Sequence, residues 1–356
     1  MRLGAWLRAV FRNRRGGIPR PAWCTYLVTW RCNARCPMCD SWRLKPSAEL
    51  TPAQVGDVFR KIGRLDVVRL TGGEPFLRAD LPEIAAAVLL ASRPRVLHVS
   101  TNGSFPDRVA DFVHRFPEPR RLRLMVSLDG LEAEHNRSRG RAASFARATE
   151  TVATLAALRA VYGCEVSVNH TVVSRQSLAD HDELRARLNE IGVEMHTVLA
   201  YADSAMYGRD LQGRAAEHLI VPLGYPLHPA LEGADAIGFV KAELRDVRQY
   251  RSRLLRHGKR YYLRGLLARL RKEPNPRPRP RCVALRSHLR LLPDGRVPVC
   301  QFNTQVVADL RREPLEAVWQ NGRLAAARAW VDRCPGCWAE CEVIPNAIYS
   351  GDILRA

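Results

Sequence analysis

The sequence predicts an α/β chain: a partial (β/α)6 barrel, TIM-like in plan, followed by a small cysteine-rich C-terminal domain. Three observations predict it. Between Trp23 and about Ala200, six apolar runs alternate with amphipathic stretches, the pattern of parallel strands joined by right-handed helical crossovers. Six such units are too few to close an eight-stranded barrel. Eight of the ten cysteines fall into two groups near opposite ends of the chain, and the stiff run Pro274-Asn-Pro-Arg-Pro-Arg-Pro280 sets the second group apart. The domains read as an N-terminal basic segment (1–22), the barrel (23–200), a linker with basic helices (201–280) and the cysteine-rich domain (281–356).

In chain order, residues 1–20 alternate Leu3, Trp6, Leu7, Val10 and Phe11 with Arg2, Arg8, Arg12, Arg14 and Arg15. An amphipathic helix of this kind either packs on its own domain or rests on a membrane surface, and packing is the expected outcome. Strands are expected at Thr25–Trp30, Val67–Leu70, Val96–Ser100, Leu122–Leu128, Glu165–Val173 and Glu194–Leu199. The helices between them are Pro52–Ile62, Leu81–Ala91, Asp107–Phe116, Ala143–Val161 and Leu178–Ile191. Thr51 followed by Pro52 is a helix start signal. Residues 201–240 lose the periodicity, with Tyr201, Tyr207, His218, Tyr225 and His228 among glycines and prolines, and read as a linker or a substrate-contacting lid. Residues 240–272 read as one or two basic helices. In the last segment, Leu289–Leu292 and Val297–Val299 flank Pro293-Asp294-Gly295 and predict a β-hairpin. A helix is expected over Glu313–Val331.

The chain has 356 residues, 46% hydrophobic and 26% charged, with a net charge of +20. Only five of its 56 basic side chains are lysines. That bias is what a GC-rich coding sequence yields, and it equally suits an anionic substrate, nucleic acid or lipid headgroups. There is no signal-peptide pattern and no apolar run near the ~18 residues of a spanning helix, so a cytoplasmic location is expected. Clustered cysteines in that setting read as metal ligands rather than disulfides. Cys24 and Cys164 read as small buried side chains.

The first cysteine group is Cys32-Asn-Ala-Arg-Cys36-Pro-Met-Cys39, just after the first strand. So tight a loop can turn three thiolates to one centre and cannot easily supply a fourth. Four-iron clusters take one thiolate per iron, so three thiolates leave one iron open to a ligand. The plainer reading is a partial zinc site or three buried thiols. Thr71-Gly72-Gly73-Glu74-Pro75 follows the second strand, Ser100-Thr101-Asn102-Gly103 the third and Ser127-Leu-Asp129-Gly130 the fourth. The two glycines allow close backbone approach to a ligand, and the carboxylate can accept from an ammonium. Taken singly, each of these segments is a turn. Asn169 on the fifth strand is a further polar position. The C-terminal group is Cys282, Cys300, Cys334, Cys337 and Cys341; a structural zinc ribbon is its simplest reading.

CxxxCxxC, then Gly-Gly-Glu-Pro, then the two strand-end turns, in that order, resemble the radical S-adenosylmethionine (SAM) superfamily. The resemblance covers about residues 23–200, and it departs at Met38, where that family usually has an aromatic residue. It implies the partial barrel, a SAM-binding 4Fe-4S cluster on Cys32, Cys36 and Cys39, and reductive cleavage of SAM to a 5′-deoxyadenosyl radical that abstracts a hydrogen from substrate. It implies SAM contacts from Gly72, Gly73, Glu74 (the methionine ammonium), Pro75, Thr101, Asn102, Ser127, Asp129 and Asn169. Residues 280–342 resemble the SPASM and twitch extensions of that superfamily. Five cysteines in place of the full SPASM set of seven imply one auxiliary 4Fe-4S cluster, held by Cys282, Cys300, Cys334 and Cys337. Cys341 is then an alternative ligand or a hydrogen donor beside the cluster. The resemblance implies a reducing partner such as flavodoxin or ferredoxin, and a peptide or small-molecule substrate. The expected net reaction is oxidation, by dehydrogenation or crosslinking, in peptide or natural-product maturation; a radical epimerase is the alternative. A basic zinc protein that docks nucleic acid is the competitor from another class, and it has no need of the ordered motifs.

Overall fold

A computed structural model describes residues 3–39, 41–44, 48–202, 224–250 and 252–355. Tyr207 and His218 of the expected linker or lid lie outside the described residues.

The barrel strands are β1 (Trp23–Thr29), β2 (Val67–Gly72), β3 (Val96–Thr101), β4 (Leu122–Ser127), β5 (Glu165–Val172) and β6 (Glu194–Leu199). A seventh, β7 (His288–Leu291), comes from the C-terminal domain and pairs with β1. All seven run parallel in the order β6-β5-β4-β3-β2-β1-β7. The helices around them are α2 (Pro52–Ile62), α3 (Leu81–Ser92), α4 (Pro106–Arg115), α5 (Glu132–Arg139), α6 (Ser144–Tyr162), α7 (Arg175–Ala179) and α8 (His181–Glu190). The expected helix over Leu178–Ile191 is thus broken at Asp180, which ends α7 and precedes α8. The start of α2 is built locally: Thr51 Oγ1 accepts from Gln54 N, Gln54 Oε1 accepts from Thr51 N, and Pro52 opens the first turn.

Alternation divides the strands between two surroundings. Val68, Leu70, Leu97, Val99, Leu124, Val126 and Val168 join one core with Phe59 of α2, Val88 of α3, Phe112 of α4, Val152 of α6 and Leu184 of α8. The intervening residues, among them Arg69, His98, Arg123, Ser127, Asn169 and His196, line a cavity of about 1220 Å³. Its far wall is made by α10 (Arg253–Leu270) and α13 (Glu340–Ser350). α10 is the basic helix expected within residues 240–272; α9 (Gly233–Arg245), which precedes it, carries no net charge and starts inside the segment expected to be a linker or lid.

The C-terminal segment departs from expectation at two places. The Pro293-Asp294-Gly295 turn forms, with Leu292 N donating to Arg296 O at 2.9 Å, but its two strands do not make an isolated hairpin. β7 is buried at all four positions, as suits a parallel strand covered on both faces. β8 (Arg296–Pro298) pairs antiparallel with β9 (Val306–Asp309). The expected helix over Glu313–Val331 is two, α11 (Leu315–Trp319) and α12 (Gly322–Arg333), because Asn321 caps a new start by accepting from Leu324 N at 2.9 Å.

α1 (Leu3–Arg14) packs on α13. Trp6 Nε1 donates to Ile348 O at 2.9 Å, and Asn13 Nδ2 to Ser287 Oγ at 2.8 Å and Tyr349 O at 2.9 Å. Among the described residues, no helix is long and apolar enough to cross a membrane.

Candidate active site

The cysteine loop leaves the carboxyl end of β1 and is tied down on three sides. Arg35 N donates to Arg139 O at 2.8 Å, Trp42 Nε1 to Cys36 O at 3.3 Å, and Asn102 Nδ2 to Asn33 Oδ1 at 2.7 Å. The three thiols share one small region. Burial pushes the Cys32 thiol up to about 12, with further upward pressure from Glu74, Cys36 and Cys39. Burial also raises Cys36, opposed by the Arg139 guanidinium, whose Nη1 lies 3.5 Å from Cys36 Sγ. Iron binding converts such thiols to thiolates and releases their protons. Among the described residues no three His, Cys, Asp or Glu side chains converge as ligands of one ion would. Thiolates that each bind a separate iron of a cluster have no need to. Three half-buried to buried thiols in eight residues, with a cation beside one of them, fit a four-iron cluster.

The glycines of Gly72-Gly73-Glu74-Pro75 serve a close approach, but the partner is the exit of β1. A Cβ on Gly72, at φ +142°, would stand 2.3 Å from Thr29 O, and one on Gly73 2.1 Å from Arg31 O. Gly73 N and Glu74 N donate to those carbonyls at 2.8 Å each. The turn therefore clamps the start of the cysteine loop. Glu74 is 1% exposed. Its Oε1 accepts from Phe76 N at 3.0 Å and Thr101 Oγ1 at 2.8 Å, and its Oε2 from Asn102 N at 2.6 Å. Burial outweighs these bonds and raises its carboxyl to about 6. Pro75 opens the short buried turn Pro75–Leu77 that follows.

Thr101 and Asn102 thus hold Glu74 in place. Ser127 and Asn169 stand opposite each other on β4 and β5 and line the cavity. Asp129, a SAM contact by the resemblance, is engaged by protein groups in this structure. It is fully buried, pairs with Arg139 Nη2 at 2.7 Å, and accepts from Ser138 Oγ at 3.1 Å and Thr171 N at 3.3 Å. Its work in this structure is to hold Arg139 against the cysteine loop. Arg139 was not singled out from the sequence; in a helix of polar residues it looks like any solvated charge.

The C-terminal cysteines also gather. Cys282 senses Cys300 and Cys334, and Cys337 senses Cys282, Cys300 and Cys341, all with thiols raised chiefly by burial. Cys334 ends α12 and Cys341 sits in the first turn of α13. Asn303 N donates to Cys300 Sγ at 3.2 Å, a common contact for a thiolate ligand. Of the five, Cys341 alone lines the large cavity, and its Sγ donates to Gln301 Oε1 at 3.0 Å. Glu342, beside it, is bound by Arg290 and lies 3.3 Å from His288 Nδ1, whose Nε2 meets Thr25 Oγ1 at 3.0 Å. Burial would raise the Glu342 carboxyl, but Arg290 and His288 bring it down to about 2. This network fastens α13 to β7 and β1.

A β/α barrel with three thiols at its first strand end, closed by a domain carrying five more cysteines, defines an iron–sulfur protein built around a barrel lumen. Residues 26–188 match the profile of the radical SAM superfamily and residues 282–341 that of an iron–sulfur cluster-binding domain, SPASM. The chain therefore carries a radical SAM domain and a SPASM domain, which imply SAM, a 4Fe-4S cluster and an auxiliary iron–sulfur cluster as its cofactors. The zinc-ribbon reading of the second cysteine group gives way to this match.

The chain is 31% identical over 213 residues to the pre-heme d1 synthase of Dinoroseobacter shibae, covering 57% of this chain and 48% of that one. It is 33% identical over 117 residues to the GTP 3′,8-cyclase of Aquifex aeolicus, covering 31% and 35%. It therefore spans about half the length, or less, of these curated relatives. In fold it resembles Streptococcus suis SuiB bound to precursor peptide SuiA, at TM-score 0.61 and 13% identity over 90% of this chain and 69% of that one. It also resembles anSMEcpe with bound AdoMet, at TM-score 0.59 and 13% identity over 94% and 99%.

Proposed function

We propose that this chain cleaves SAM at a cluster held by Cys32, Cys36 and Cys39 and acts on a substrate bound in the barrel lumen, between that loop and the C-terminal cysteines. The observation that carries the reading is the shared cavity: Met38 of the first cysteine loop and Cys341 of the second group both line it. At about 1220 Å³ it exceeds the usual ~300–1,000 Å³ of a small-molecule pocket, leaving room for a peptide side chain or a sugar beside the cofactor. The cluster with SAM supplies a carbon-centred radical able to take a hydrogen from an unactivated C–H bond.

The chain's own residues position and shield. Glu74, held ready by Thr101, Asn102 and Phe76, takes the SAM ammonium on its remaining acceptor sites. Gly72 and Gly73 fix the distance between Glu74 and the cysteine loop. Pro75 sets the turn behind it, and Ser127 and Asn169 offer polar contacts from the facing strands. Asp129 acts through Arg139. Cys282, Cys300, Cys334 and Cys337 hold the auxiliary cluster, and a flavodoxin or ferredoxin supplies electrons in a cytoplasmic setting. Four thiolates on that cluster leave no iron for substrate, so it serves electron transfer, and net oxidation by dehydrogenation or crosslinking follows.

A second reading has its own support. Cys341 stands in the cavity wall, where a thiol could return a hydrogen and give epimerisation. Turnover in D2O separates the two. Oxidation leaves no solvent deuterium on the product carbon; deuterium there, lost in Cys341→Ser at unchanged iron content, would establish the second reading.

A further inference from the structure

We propose that the lumen carries an anion-binding subsite built on Arg69 and His98, which takes a carboxylate or phosphate group of the substrate; this rests on the lumen being the substrate site. The parallel registers set Arg69 of β2 beside His98 of β3, and His98 beside Arg123 of β4. All three line the cavity. Of the cations there, Arg123 is paired with Glu165, and Lys259, 3% exposed, is paired with Glu340 at 2.6 Å. Arg159 donates to the carbonyls of Gly192 and Ile191. Arg69 differs. Among the described residues it has no carboxylate partner, and its one hydrogen bond runs from Nη2 to Ser100 Oγ at 3.3 Å.

Two buried atoms of this wall, Arg69 Nε and His98 Nδ1, have no hydrogen-bond partner among the described residues. A partly buried guanidinium with no ion-pair partner is costly to the fold, and so is each unmet buried polar atom. Such an arrangement persists where a ligand supplies the missing charge. Burial and the neighbouring Arg69 hold the His98 imidazole well below its ordinary range, so His98 contributes a neutral ring with one donor nitrogen and Arg69 the charge. The planar fork of an arginine matches a carboxylate or phosphate with two parallel bonds. Arg69 and Cys341 both line the cavity, so an anion held by Arg69 shares the lumen with that thiol.

Calorimetric titration of the anaerobically reconstituted full chain with inorganic phosphate, and separately with acetate, tests this. One-site binding of at least one of the two is expected, and the preferred anion tells whether phosphate or carboxylate is the natural group. Arg69→Gln should weaken it at least about tenfold. Arg312→Gln, at a side chain 81% exposed, should leave it unchanged. The unaltered chain gives a second measure: the bound anion should protect the Arg69 peptide from phenylglyoxal. Absence of saturable binding, equal affinity in Arg69→Gln, or an unprotected Arg69 would each overturn the proposal. Binding is read without turnover. Loss of SAM cleavage with Arg69-dependent binding intact would therefore refute the proposed function and spare the subsite, and the reverse would do the opposite.

Discussion

Glu74 shows what one side chain is asked to do. Its carboxylate satisfies three donors and, in the proposed function, keeps its remaining acceptor sites for SAM, while burial raises its pKa to about 6. The folded chain thus holds this proton more tightly than the unfolded chain. The resulting stabilisation is fully present below the ordinary value of 4.5 and is lost as pH rises through about 6. SAM binding needs the ionised form, so SAM affinity should fall as pH drops through about 6, measured by calorimetry. Glu74→Gln should weaken SAM about tenfold or more at neutral pH, because a charge-assisted bond is lost, with iron content unchanged. It should also lower Tm, since the amide nitrogen turns a donor toward Asn102 N or toward Phe76 N and Thr101 Oγ1. Arg139 supplies a second test at this scale. Replacing it alone leaves Asp129 buried without its partner, at a cost of about 3–5 kcal/mol, so the informative variant is Arg139→Gln with Asp129→Asn. Loss of a guanidinium 3.5 Å from Cys36 Sγ should lower the potential of the SAM-binding cluster by tens of millivolts in an EPR redox titration. An unchanged potential would deny Arg139 this role. The positions of the candidate cysteines, Glu74 and the strand-end polar residues at one end of the barrel were legible in the sequence, because each falls at a fixed offset from a strand. Arg139, Arg69 and Lys259 were not, because burial alone distinguishes them from the many arginines and lysines in solvent.

Among the elements, α10 and the loop before α13 are joined through Trp338. Trp338 follows Cys337 and is fully buried, with Nε1 donating to Tyr262 O at 3.0 Å, its own N–H to Tyr201 Oη accepting at 2.9 Å, and Arg269 stacked 3.6 Å above its ring. Gly265 makes room for it: a Cβ there would stand 1.9 Å from Trp338 Cζ2. Gly265→Ala should therefore destabilise the chain by about 1–3 kcal/mol through overpacking and lower auxiliary iron while sparing the first cluster. Gly258→Ala on the same helix, with nothing within 4 Å of the added Cβ, should be neutral or stabilising by about 0.5–1 kcal/mol. Thermal melts with iron assays check both. The six barrel strands were readable from period and spacing, and α2 was readable to the residue from Thr51 and Pro52. β7 was misjudged as half of a hairpin because its pairing to β1 spans the whole chain, and a local pattern carries no record of a distant partner. The long predicted helix broke at Asn321, whose capping role shows only once Leu324 N is beside it.

At the scale of the molecule, the two ends of the chain meet over the same lumen. β7 extends the sheet past β1, α13 forms the opposite wall, and α1 is fastened to α13 by Trp6 and Asn13. The division into a barrel and a cysteine-rich domain was visible in the sequence; that the second lends a strand to the first was not. The central claim is that two clusters with separate ligands flank one substrate cavity, and that SAM is cleaved only at the first. The most direct measurement is Mössbauer iron quantification with a 5′-deoxyadenosine assay on the reconstituted chain and on Cys32→Ala/Cys36→Ala/Cys39→Ala. About eight irons are expected in the unaltered chain, at four per cluster. About four should remain in the triple variant, with no 5′-deoxyadenosine formed. A triple variant that still makes 5′-deoxyadenosine would contradict the account.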